Sequence, residues 1–187
     1  MPSSNLSNNK NIPIKDSQSN ILTIQIRDHL LIADESFECV TLSARYDHGF
    51  GFSQLFRFVD EKKSKEIEAI CDASNAEVVP KFLPLSVSNK WRVLVTPVIK
   101  SNESQYADFY KQLMLDVVQQ AQSILASKLL FSQFGRMFTY KVHHFEGVIR
   151  ALNELKQGSF GCLEIIRFEV DSKHSGAVLN QFTKGLG

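Results

Sequence analysis

Two stretches of this chain place glycines directly after apolar runs, and in such settings backbone N–H groups can hold an anion. In "DHGFGF" Gly49 and Gly51 alternate with Phe50 and Phe52, and in "SQFGRMFTY" Ser132 precedes Gly135, Arg136 and Phe138. Close approach of a backbone to a diphosphate needs residues without side-chain bulk that are free to take positive φ. N–H groups at the start of a following helix then face the anion, aided by the helix dipole. Arg136 would add a bidentate guanidinium fork. The same loops also read as plain strand-to-helix turns, with Arg136 a solvated surface residue. Phe50 and Phe52 are open between stacking on a base or ribose and filling the cleft. Asp47 and His48, adjacent and beside the first loop, are the candidate acid/base pair of the chain.

Other chemistries find no pattern to carry them. The chain has no GxSxG elbow, no phosphate loop ending in Gly-Lys-Ser/Thr, no HExxH and no CxxC. "GFGFSQ" lacks the third glycine of a dinucleotide fingerprint, so no nicotinamide or other cofactor is expected. His143 and His144 are neighbours on a helix start and do not share a face, so no metal site is expected from them and capping or exposure is the better reading. Cys39, Cys71 and Cys162 are far apart, odd in number and set among apolar residues, which reads as reduced, buried thiols of an intracellular protein. Lys plus Arg (21) nearly cancels Asp plus Glu (20), leaving no broad field for nucleic acid or an anionic membrane. With no run able to span a bilayer and no secretory core at its start, the sequence is expected to be cytoplasmic, in its own cell or, as an exported effector, in a host cell.

The elements that must position these loops follow from periodicity. Residues 1–20, rich in Ser, Asn, Lys and Pro, are expected to form a flexible arm, and residues 21–187 one domain. "ILTIQIRDHL" alternates from Leu22 to Ile26 and is expected to turn at Arg27 to His29. "FECVTLSA" reads as a central strand, "KFLPL" as a weak strand, "KWRVLVTPVI" as a strong one ending at Pro97, and "KLLFSQF" and "GSFGCLEIIRFEVD" as two more. Between Ser53 and Ala73 two helical pieces or one broken helix are expected. A longer helix carries Tyr106, Phe109, Leu113, Val117, Ala121 and Ile124 behind a capping box at Asn102 and Gln105. "VHHFEGVIRALNEL" and "HSGAVLNQFTKGL" complete the helices. Trp91 and the strand phenylalanines are expected in the core. Strands alternating with helices of this length imply an α/β sheet with helices on both faces.

From about Leu22 to Asp171 the order of elements and the local residues resemble a divergent macrodomain, the module that binds ADP-ribose. The family's first strand ends in a Gly-Asp-Ile turn whose Asp reads the adenine amino group. "IQIRDHL" puts Asp28 there, with Arg27 in place of Gly, although from residue type alone Asp28 is a turn or capping residue. Its next strand ends in Asn-Ala-Ala-Asn near the distal ribose, of which "TLSAR" keeps only the small Ser43 and Ala44. The family's glycine loop before its first long helix is similar to "HGFGFSQLF", and its apolar-Pro-small strand end and second glycine-aromatic loop are similar to "LLFSQFGRMFTY", with Ser132 in place of Pro.

The resemblance implies a three-layer α/β/α fold with a mixed central sheet. It implies a module for ADP-ribose or a related nucleotide diphosphate, and with it recognition or removal of ADP-ribosyl groups on a protein partner. Asp28 would read adenine, and residues Gly49, Phe50, Gly51, Phe52, Ser132, Gly135, Arg136 and Phe138 would line the diphosphate cleft. Some macrodomains cleave ADP-ribose from proteins, but the asparagine usual in those sites is missing here, so enzymatic activity stays undecided, with Asp47 the first base to test. The alternative is a scaffold without ligand, its cleft filled by Phe50, Phe52 and Phe138, acting as a protein-interaction module.

Overall fold

The computed structural model describes residues 10–28, 39–44, 65, 81–84, 92–97, 106–131, 142–170 and 172–186. Its strands are β1 (Lys10–Lys15), β2 (Ile21–Asp28), β3 (Cys39–Ala44), β4 (Lys81–Pro84), β5 (Arg92–Pro97), β6 (Lys128–Phe131) and β7 (Ile165–Val170). They form a seven-stranded sheet in the order β1-β2-β7-β6-β3-β5-β4. The inner strands β2, β7, β6, β3 and β5 are parallel, whereas β1 and β4 at the two edges run antiparallel to their neighbours. The helices are α1 (Tyr106–Ser123), α2 (Val142–Leu155) and α3 (Ser172–Leu186).

Side-chain alternation explains how the sheet is covered. On one face Leu22, Ile24 and Ile26 of β2, Ile166, Phe168 and Val170 of β7, and Leu129 and Phe131 of β6 are buried together with the inner sides of the three helices. Each such side chain contributes about 1.5–3 kcal/mol over leaving it in water. The helix periodicity matches this contact: Leu113, Val117 and Ala121 of α1, Phe145, Val148, Ile149 and Leu152 of α2, and Val178 and Phe182 of α3 all face the core. On the opposite face Gln25, Leu130 and Glu169 are also buried, so the sheet is covered on both sides and the architecture is a three-layer α/β/α. At the end of α1 Leu125 takes a left-handed φ of 57°, and Ala126 N donates to Ala121 O at 3.0 Å, closing the last turn.

Three sequence expectations are corrected. Residues 10–15, assigned to the flexible arm, are strand β1, paired in register from Lys10↔Ile26 to Lys15↔Ile21. The low apolar content of the segment hides Ile14, which is buried, and Ile12, which packs against the core. The sheet supplies what local composition does not. The turn expected at Arg27 to His29 does not include Arg27 and Asp28, which continue β2 through pairing with Glu169 and Val170. Cys162 is exposed rather than buried, since it follows Gly161 (φ 61°) in the turn before β7. The helix expected over Ser53 to Ala73, the box at Asn102 and Gln105, Trp91 and Cys71 lie outside the described residues, apart from Lys65, which is helical.

A single carboxylate ties the β1–β2 turn to the segment that leads into β7. Asp16, 7% exposed, accepts from Gln18 N and Asn20 N at 2.9 Å through Oδ1, and from Phe160 N at 2.9 Å and Asn20 Nδ2 at 3.1 Å through Oδ2. Burial by itself would raise its pKa, but the hydrogen bonds from Phe160, Asn20 and Gln18 outweigh it and hold the group below the ordinary carboxylate value. A depressed folded-state pKa gives stability that is complete above the unfolded value of about 4 and lost as pH falls through the folded one. Asp16→Ala is therefore expected to lower the thermal midpoint at neutral pH and to reduce its fall below about pH 4. Thermal melts of both proteins across that range check it, and equal acid sensitivity would refute it.

Candidate functional site

Because the inner strands are parallel, their carboxyl ends all lie along one edge of the sheet, where open α/β sheets bind ligands. Ile26 of β2 and Phe131 of β6 both align with Phe168 of β7, and Thr41 of β3 aligns with Phe131. Above that level β2 continues two residues to Asp28, level with Val170, and β3 continues three residues to Ala44, level with Pro97. At about 3.3 Å per residue, Ala44 stands roughly 10 Å beyond the end of β6. Adjacent strands are about 4.8 Å apart, so β6 and β3 release their following segments side by side, while Asp28 lies about 14 Å across from β3.

Asp28 is the one predicted ligand residue within the described set, and it occupies the end of β2 at this edge. Gly49, Phe50, Gly51 and Phe52, Asp47 and His48, and Ser132, Gly135, Arg136 and Phe138 lie outside it. They belong to the segments that follow Ala44 and Phe131. The register brings the outlets of those two segments together with Asp28, which spacing along the sequence could not establish.

Sequence reasoning missed Arg27. Its Nη1 donates to the Lys10 carbonyl at 3.1 Å and to the Ile26 carbonyl at 3.0 Å, and its Nη2 to Asn11 Oδ1 at 2.5 Å. Burial, and then the nearby Arg167, lower its pKa from the ordinary guanidinium value. Arg167 Nε in turn donates to Gln25 Oε1 at 2.8 Å. The signal available in the sequence was the brief Ile12/Ile14 alternation around Pro13, a residue tolerated on an edge strand.

Helix α2, which follows the second glycine-bearing segment, carries several surface contacts between charged and polar side chains. Arg150 Nη2 reaches Glu146 Oε1 at 2.6 Å, His143 Nδ1 lies 3.2 Å from Glu146 Oε2, and Lys111 Nζ on α1 meets Glu154 Oε2 at 2.9 Å. These pairs are half exposed and contribute little each. His143 thus sits in a surface ion network at the start of α2. Among the described residues there is no cluster of three or more potential metal ligands, and no helix long and apolar enough to cross a membrane.

A mixed seven-stranded sheet with antiparallel edge strands, buried on both faces and with the carboxyl ends of its parallel strands along one edge, defines an α/β/α module. Its fold is that of a macrodomain. The macrodomain of Oceanobacillus iheyensis solved with ADP superposes at a TM-score of 0.65 with 10% identity, over 94% of this chain and 96% of that one. A glycine-to-valine mutant of the same protein, solved with ADP-ribose, superposes at 0.64 with 12% identity over 94% and 97%. The macrodomain of Mycobacterium tuberculosis DarG superposes at 0.56 with 8% identity over 78% and 97%. No protein-family model and no curated protein matches the sequence.

Proposed function

We propose that this protein binds ADP-ribose or a related nucleotide diphosphate at the carboxyl edge of its parallel strands, with ADP-ribosyl groups on proteins as the natural form of that ligand. The observation that supports the reading is the strand register. It sets Asp28 and the outlets of the two glycine-bearing segments along one edge of the sheet. In this reading Asp28 accepts from the adenine amino group. Gly49 to Phe52 and Gly135 to Phe138 offer backbone N–H groups to the diphosphate, with Ser132 beside them and the Arg136 guanidinium adding charge. The structural neighbours solved with ADP and with ADP-ribose favour this ligand class.

Calorimetric titration with ADP-ribose, ADP and AMP tests the reading directly. The wild-type protein is expected to bind ADP-ribose in the micromolar range, and Gly51→Glu, which adds a side chain and a negative charge where the diphosphate would lie, is expected to weaken it at least about 100-fold, equivalent to about 2.7 kcal/mol. Absence of heat with all three nucleotides, from protein shown to be folded, would defeat the proposal in favour of an interaction scaffold whose ligand is another protein.

A further inference from the structure

We infer that Arg27 is a positioning residue for base recognition: it clamps the first strand to the end of β2 and so fixes Asp28 at the edge of the site. The inference rests on the nucleotide reading above. The described β1–β2 ladder runs up to Lys10↔Ile26, the pair next to Arg27. At the tip of β2, Arg27 and Asp28 pair with Glu169 and Val170 of β7. Arg27, one residue beyond Ile26, reaches back to β1. Its Nη1 holds the Lys10 carbonyl and its Nη2 holds Asn11 Oδ1, so one rigid planar group joins the first two residues of β1 to the tip of β2.

The arrangement has a cost that argues for its having a use. The guanidinium is partly buried close to Arg167, and its three described acceptors are neutral: two carbonyls and an amide oxygen. A glycine at this position could make none of these bonds. With them, the direction of the β2 tip is set by its neighbours on both sides, and a carboxylate that must meet one exocyclic amino group gains from such fixed placement.

The test is a double-mutant cycle read as base selectivity. ADP-ribose and its hypoxanthine counterpart, in which an oxygen replaces the amino group, are titrated into wild type, Arg27→Ala, Asp28→Ala and the double variant. Wild type is expected to prefer adenine, and Asp28→Ala to lose the preference. Arg27→Ala is expected to reduce it about five-fold, within the range for residues coupled in one network, and to change nothing further once Asp28 is alanine. Asn11→Ala, which removes a single acceptor and leaves the ladder intact, should shift the preference in the same direction by less. Equal weakening toward both nucleotides in Arg27→Ala, or an unchanged preference, would overturn the assignment while leaving the nucleotide site standing. So would an Asp28→Ala variant that keeps the adenine preference. Wild-type protein that binds neither nucleotide would overturn both proposals.

Discussion

Replacing Phe168 with alanine is expected to destabilise the protein by about 3–5 kcal/mol, the usual cost of removing a fully buried aromatic ring. Phe168 is completely buried on β7, at the meeting point of sheet and helices. Its ring stacks on Phe131 at 4.9 Å and 16°, lies 5.3 Å from Phe182 of α3, and meets Phe145 of α2 edge-on at 6.3 Å. Phe145 and Phe182 also touch each other at 5.6 Å, so the four rings form one cluster drawn from two strands and two helices. Such pairs add about 0.5–1.5 kcal/mol each beyond area burial. The alanine variant leaves a void bounded by elements that cannot all close on it. For a chain of this size the loss corresponds to roughly 6–20 °C in melting temperature, measurable by circular dichroism. A drop of less than a few degrees would show that the cluster is loosely packed. Phe168→Leu, retaining most of the volume, should recover a large part of the loss.

A Gly147→Ala variant is expected to destabilise as well, against the ordinary helix preference. In an exposed helix alanine is favoured over glycine by about 1 kcal/mol. Here a Cβ at Gly147 would lie 2.2 Å from the Ala107 carbonyl oxygen and 2.8 Å from Lys111 N. Both obstructing atoms are backbone, so relief requires α1 as a whole to move away from α2. Overpacking of this kind costs about 1–3 kcal/mol, enough to reverse the propensity gain. Net of the propensity gain, thermal melts should place the variant up to about 8 °C below wild type. A melting point at or above that of wild type would mean that the helices separate without penalty. Because α2 begins where the segment after β6 ends, the nucleotide site proposed above would make the same substitution weaken ligand binding as well, by displacing that helix start.

How much could be read in the sequence depended on whether local pattern and tertiary partner agreed. Helix α2 was legible over its full length because Phe145, Val148, Ile149 and Leu152 recur on one face and that face is the one buried. β5 was legible through its dense β-branched run and its end at Pro97. β1 was not, since four of its six residues are Lys, Asn and Pro, and its order comes from pairing with β2 and from the Asp16 bonds, neither of which composition records. For the same reason the end of β2 was set too early: a charged Arg27-Asp28 pair looks like a turn until the pairing with Glu169 and Val170 is known. At the candidate site, sequence supplied the residue types and the place of Asp28, while the juxtaposition of three strand ends is a property of strand order. Arg27 was read only as the residue where a glycine was expected, and its bonds to Lys10 and Asn11 emerged from the hairpin register.

The place of β7 between β2 and β6 bears on how the chain can be made. Gln25 and Arg167, partners across that junction, are 142 residues apart. As the polypeptide leaves the ribosome, the hairpin of β1 and β2 is complete long before the strand that seats it has been translated. Until then the apolar row Leu22, Ile24 and Ile26 lacks β7 and the helix α3 that packs on β2, and a nascent chain in that state is a natural client for a chaperone. Joining of the two parts of the sheet is therefore a late event, and premature termination before Ile165 would leave the hairpin without the strand that joins it to the rest.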